Sequence, residues 1–137
     1  MANDAIHDAV VDALVNENWT IIKEQFSLRY QELRLSVDIA AKKSLIAQQG
    51  DKKILVEVKS FSERSFVKAL QAALGQYRMY RDVVILKKLD FELYLAISQD
   101  VYSLFFHRPS TEDFIMINEV NLLIVDIKQE KVVQWIK

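Results

Sequence analysis

Between residues 54 and 81 the hydrophobic pattern changes period once, and that change limits the folds open to the chain. ILVEVKSF, residues 54 to 61, reads as a strand. From Ser65 onward Phe66, Leu70, Ala73, Leu74, Tyr77 and Arg81 fall on one stripe of SFVKALQAALGQYRMYRDVVIL, which predicts a long helix directly after that strand. Gly75 interrupts the stripe at a cost of about 1 kcal/mol relative to alanine, and marks a place where another backbone or a ligand comes close.

The flanking segments supply more of both elements. NDAIHDAVVDALVNEN places Ile6, Val10, Val11, Leu14 and Val15 at helical spacing, with Asn3 or Asp4 as cap. Residues 19 to 23 read as a short strand followed by irregular chain. LSVDIAA, SLIAQQ and ILVEVKSF read as consecutive strands, with Gly50 and Asp51 marking the hairpin before the last. Downstream come a strand at FELYLAIS, a helix at DVYSLFFH, a short helical or irregular piece through TEDFIMINEV, and strands at LLIVDIK and KVVQWI. This alternation predicts an α/β fold, a mixed central sheet flanked by helices, in one domain over residues 1 to 137.

Composition removes several kinds of chemistry. With Cys 0 there is no thiol nucleophile, disulfide or thiolate zinc site, which suits a reducing cytoplasm. With Gly 2, phosphate loops and dinucleotide fingerprints are out of reach, so no nucleotide cofactor is expected. The longest apolar run, LYLAI, is far too short to span a bilayer, and the acidic N-terminus does not resemble a secretory leader. His7 and His107 share no metal-ligand spacing and read as surface or packing residues. VYSLFF reads as core, with Tyr102 or Phe106 available to an interface.

The formal net charge of -1 conceals a basic middle: Lys/Arg against Asp/Glu number three to six over residues 1–37, eleven to five over 38–88, and four to eight over 89–137. That middle fits either a polyanion or solvated surface lysines. Within it, Glu57 and Lys59 are two apart on a strand, so both emerge on one face, away from Val56 and Val58. If LSVDIAA is the neighbouring strand, Asp38 reaches them, and two carboxylates beside an ammonium make a site for Mg²⁺ or Mn²⁺ suited to phosphodiester hydrolysis. The bland alternative is a structural ion pair. Asp126 with Lys128, and Asp51 with Lys53, repeat the acid-x-Lys letters, but neither pair has an acidic strand before it and a long helix after it. Gln76 and Tyr80, one helical turn apart, can support such a site or a phosphate.

In this order Asp38, Glu57-Val58-Lys59 and Gln76-Tyr77-Arg78-Met79-Tyr80 resemble the PD-(D/E)XK nuclease superfamily, particularly its RecB-like branch. The resemblance implies that Asp38 and Glu57 bind the metal, that Lys59 assists the attacking water, and that an acid of the first helix, Glu17 here, adds a further ligand. Val37 stands where a proline usually precedes the first acid. Over almost the whole chain SVDIAA, ILVEVKSF, ALGQYRMY, LYLAIS, LLIVDI and VVQWI are similar to the XisH family of fdxN element excision controlling factors. That implies a restriction-endonuclease-like fold, a role in controlling excision of a DNA element, and association with a small partner, XisI. Two functions follow as expectations: a Mg²⁺-dependent endonuclease or nuclease-like factor, or a non-catalytic regulatory or DNA-binding subunit. A working nuclease predicts an open basic cleft around Asp38, lined by Lys42, Lys43, Arg64, Lys68 and Arg78, and a homodimer is plausible.

Overall fold

A computed structural model describes residues 2–45 and 50–137, with side chains from residue 5 onward except that of Leu45. Its elements are α1 (Ala2–Asn16), β1 (Thr20–Tyr30), β2 (Leu33–Leu45), β3 (Gly50–Val58), α2 (Phe66–Leu86), β4 (Glu92–Ser98), α3 (Gln99–Phe105), α4 (Pro109–Ile117), β5 (Leu122–Asp126) and β6 (Lys131–Ile136). The six strands form one sheet in chain order. β2 runs antiparallel to β1 and β3 on either side of it, β3, β4 and β5 run parallel, and β6 returns antiparallel. The expected α/β class, a mixed sheet flanked by helices, is what the chain adopts.

Alternation along the central strands builds two cores. Leu55, Leu93, Leu95, Ile97, Leu122 and Ile124 pack with α2 and the aromatic residues of α3, whereas Ile54, Val56, Tyr94, Ala96, Leu123 and Val125 pack with α1. These central strands read as continuous apolar runs because both their faces are covered. Ser65 caps α2 by accepting from the Lys68 N–H at 3.2 Å. Two tyrosines then anchor that helix: Tyr77 Oη donates to the Leu93 carbonyl at 3.0 Å and accepts from the Asn121 N–H, and Tyr80 Oη donates to the Ser36 carbonyl at 3.1 Å.

Three sequence expectations are corrected. β1 continues to Tyr30 where irregular chain was expected after residue 23. Ser44 and Leu45 prolong β2, and Gly50 and Asp51 pair with them as the first residues of β3, so neither Gly50 nor Asp51 turns the hairpin. The turn itself, with the rest of SLIAQQ, lies outside the described residues, as do the side chains of Asn3 and Asp4. Gly75 meets no close neighbour: a Cβ added there would find nothing within 4 Å, and its φ is not positive. Gly75→Ala is therefore expected to stabilise the protein by about 1 kcal/mol, read as a higher denaturant midpoint at unchanged slope.

With glycine so scarce, the helices end on other residues. Asn18, Lys88 and Glu119 take the left-handed conformation at φ 70, 54 and 52. The next residue in each case, Trp19, Leu89 or Val120, donates its N–H back to Leu14, Val84 or Ile115, which closes the helix and buries an apolar side chain.

Candidate metal centre

The β2–β3 ladder runs from Leu45↔Gly50 to Ile39↔Val56, and there it stops. Beyond this point the strands part, and the backbone groups they would have shared are taken up by carboxylates. Asp38 Oδ2 accepts from the Val58 N–H at 2.8 Å, and Glu57 Oε1 accepts from the Asp38 N–H at 3.3 Å. Each acid thus bonds to the other strand, and both carboxylates are drawn into the fork. Lys59 lies on the same side of β3, its Nζ 3.6 Å from Glu57 Oε2, and its own N–H is held by the Ala96 carbonyl.

An irregularity in the neighbouring strands opens this fork. Val37 packs in the α2-side core and Ile39 in the α1-side core, so the alternation of β2 slips at Asp38. Across from it, Gln25 sits in β1 between the pairs Glu24↔Ile39 and Phe26↔Val37 with φ 53. A left-handed non-glycine residue inside a strand costs on the order of 1 kcal/mol and is retained where the surroundings impose it. The Gln25 side chain lines the cavity, and its Oε1 accepts from the Ser36 hydroxyl at 3.2 Å.

The cavity over the fork has a volume of about 480 Å³ and is polar. Asp38, Glu57, Lys59 and Gln25 form its floor, Ser60 and Glu63 follow on the chain leaving β3, and α1 contributes His7 and Asp8. Four carboxylates therefore face one lysine and one histidine. Burial is the main reason that the Glu57 carboxyl is pushed up to about 7, with the Asp38 charge adding to it and the Lys59 charge opposing it. Tyr80 is pushed up to about 12 by burial and then by the Glu57 and Asp38 charges, which places its hydroxyl beside both acids.

This donor set fits a hard divalent cation. Two converging carboxylates are the protein ligands such an ion ordinarily takes, with water or substrate oxygens completing its shell, and a cation would offset the burial and the Asp38 charge that together push the Glu57 carboxyl up. Asp38 and Glu57 would hold it.

The structure brings together Asp38, Glu57, Lys59 and Tyr80 but leaves the other proposed site residues elsewhere. Glu17 accepts from Trp135 Nε1 at 3.2 Å and lines a different cavity, and the acid that α1 contributes to the fork is Asp8. Gln76 is exposed on α2 and lies outside the lining, whereas the buried residue next to it is Tyr77. The expected basic cleft is an acidic one. Lys42 and Lys43 lie toward the far end of the β2–β3 hairpin, Arg78 donates to Asn118 Oδ1 at 3.4 Å, and Arg64 and Lys68 are exposed outside the lining. Sequence reading also missed His7, whose Nε2 pairs with Glu24 Oε1 at 2.7 Å. His7, Asp8 and Glu24 offer ligand atoms within 4.8 Å of one another, a grouping of residues from α1 and β1 that no local spacing announces.

The XisH protein family profile matches residues 1–133. The chain belongs to the XisH family. A crystal structure of an XisH family protein from Nostoc punctiforme PCC 73102 is similar at a TM-score of 0.88 and 33% identity, covering 98% of this chain and 100% of that one. A second, of an fdxN element excision controlling factor protein from Anabaena variabilis, has a TM-score of 0.88 and 34% identity, covering 98% and 99%. No curated protein matches the chain. No helix among the described residues is long and apolar enough to cross a membrane.

Proposed function

We propose that this XisH family member is a divalent-metal-dependent DNA phosphodiester hydrolase of the PD-(D/E)XK kind, acting in the controlled excision of a DNA element. The observation that carries the reading is the crossed pair of carboxylates at the parting of β2 and β3, with Lys59 against Glu57. An ion pair kept for stability alone has little reason to sit there, because a well-packed apolar pair is often as stable as a buried salt bridge. Holding the Glu57 carboxyl in a buried place beside Asp38 costs the fold stability at neutral pH, as expected of a site kept for chemistry. The excision role is carried over from the Anabaena variabilis relative, an fdxN element excision controlling factor protein.

In this reading Asp38 and Glu57 hold Mg²⁺ or Mn²⁺. The bound ion supplies charge to a phosphoryl oxygen and acidity to its water. Lys59 holds its ammonium within reach of Glu57 and of a water above it, where it orients the nucleophile and offsets charge developing on the phosphate. Tyr80 fixes β2 through the Ser36 carbonyl, and with it the position of Asp38. The acidic wall of Asp8 and Glu63 repels a bare phosphate, so DNA approach depends on the cation.

One observation favours a second reading, a subunit whose DNA contacts come from elsewhere: the lysines expected around the fork do not line it. In that case a partner of the XisI kind, or a second copy, supplies the cations. Calorimetric titration with Mg²⁺ and Mn²⁺ tests the first reading, using the purified chain and its Asp38→Asn and Glu57→Gln variants, followed by cleavage assays with and without partner. Binding lost in both folded variants, with metal-dependent cleavage by the native chain, is the expected result. No metal binding to the folded native chain overturns it.

A further inference from the structure

At the opposite end of α1 from the fork lies a second cavity, of about 470 Å³, within the usual size of a small-ligand site. Its walls are aromatic and basic. Trp19 and Trp135 lie with ring centroids 5.7 Å apart and 41° between planes, and Tyr94 meets Trp135 edge-on at 4.9 Å. Lys43 and Lys52, directly paired across β2 and β3, project into the same wall, and Lys137 joins them. Lys43 Nζ stands 5.7 Å over the Trp19 ring, and Lys52 and Lys137 share the Glu92 carboxylate at 3.3 and 2.6 Å. Two ammoniums on one carboxylate leave positive charge in hand.

Trp19 is only 7% exposed, and its indole N–H, shielded from water, has no hydrogen-bond partner among the described residues. A buried donor left without an acceptor is costly, and in this structure the N–H is closed off from the cavity as well as from water. Trp135, by contrast, gives its N–H to Glu17. The features select a ligand. Aromatic faces attract either cations or planar rings, and three lysines exclude a cation. A planar heteroaromatic ring bearing an anionic group satisfies the aromatic wall and the ammoniums together, and Glu17 can accept from a ring amine.

We propose that this cavity binds a nucleotide, its base against the Trp19–Trp135 pair and its phosphate on Lys43, Lys52 and Lys137. The site is a stacking platform with ammoniums, unlike the glycine-rich loops of nucleotide cofactor sites. Its source is either a free nucleotide or an unpaired nucleotide of a strand. The second source rests on the hydrolase reading, for His7 at the fork and Glu17 at this cavity are ten residues apart on and just past α1, about 15 Å. A single strand following α1 reaches both.

The chain has Trp 2, and both line this cavity, so intrinsic fluorescence reports on it without a label. Native protein in chelator is titrated with deoxynucleoside monophosphates, a short single-stranded oligodeoxynucleotide and inorganic phosphate. Quenching by nucleotide or oligonucleotide is expected, with affinity falling about tenfold or more in Trp135→Phe and in Lys43→Ala, and with mononucleotide affinity unchanged in Asp38→Asn. Lys43 is half-buried and its truncation leaves the core intact, which guards against misfolding of the tryptophan variant. Tighter oligonucleotide binding identifies a strand as the source, and equal binding identifies the free nucleotide. Phosphate competing as tightly as any nucleotide, no quenching by either probe, or folded variants that bind like the native chain overturns the proposal. Because metal is absent throughout, failure here leaves the fork untouched, and failure of metal binding at the fork leaves this cavity untouched.

Discussion

Glu57→Gln raises the thermal stability of the metal-free protein at pH 8 and leaves it nearly unchanged at pH 4.5. The amide has the volume of the acid and keeps an acceptor for the Asp38 N–H, but it cannot ionise. In the folded chain the Glu57 carboxyl titrates at about 7, against 4.5 for an ordinary glutamate, chiefly because it is buried and next because Asp38 is beside it. A carboxyl raised in this way supports the fold while it is protonated in both states, below about pH 4.5. As pH climbs, the unfolded chain ionises first, and the contribution is lost by the time pH passes 7. The native protein therefore forfeits roughly 2 to 3 kcal/mol across that window, and the glutamine variant does not. Melting curves at the two pH values, with and without Mg²⁺, measure this. Mg²⁺ is expected to raise the native midpoint strongly at pH 8, weakly at pH 5, and not at all in the variant. Equal stabilities for the two proteins at pH 8 would mean that Glu57 is not held in a desolvated, repulsive site.

Much of this site is legible from strand parity, because Glu57 and Lys59 two apart must share a face whatever surrounds them. Asp38 is legible once LSVDIAA is read as the neighbouring strand. The residue on α1 is not. Asp8 and Glu17 are nine positions apart, two and a half turns, so they stand on opposite sides of the helix about 13 Å apart and only one can reach the fork. Nothing local says which, since α1 is oriented by its packing across the sheet, most of all on β6. The choice between Gln76 and Tyr77 was available, however: the stripe through Leu70, Ala73 and Tyr77 continues to Tyr80 and excludes Gln76. The basic cleft failed for a geometric reason. Lys43 is five strand residues from Asp38, about 17 Å, so lysines close in sequence belong to the other end of the hairpin.

The second half of β1, beyond residue 23, escaped sequence reading because β1 is an edge strand whose alternation is broken. Ile21 packs toward α1, whereas Phe26, Leu28 and Tyr30 pack toward α2, with a register shift at Ile21/Lys23 and left-handed Gln25 between them. No single period runs through TIIKEQFSLRY. The irregularity that hid the strand is the one that faces Asp38, where β2 changes face.

Lys59→Met separates cation binding from hydrolysis. Methionine keeps the length of the stem against β3 while removing the ammonium 3.6 Å from Glu57, on a side chain 26% exposed, so the fold is expected to tolerate it. Asp38 and Glu57 remain, and Mg²⁺ still binds. The pH at which it binds moves upward, however, because the lysine charge opposes the burial and the Asp38 charge that hold the Glu57 proton on. Cleavage is expected to fall by about two orders of magnitude or more even at a pH where the site is fully loaded, the scale typical of losing one preorganised charge or proton-handling group. Glu57→Gln, in contrast, loses metal and cleavage together. The pair of readouts discriminates sharply: if Lys59→Met cleaves like the native protein once metal is saturating, the ammonium serves only to balance Glu57. If it loses metal as well, Lys59 shapes the fork rather than the reaction.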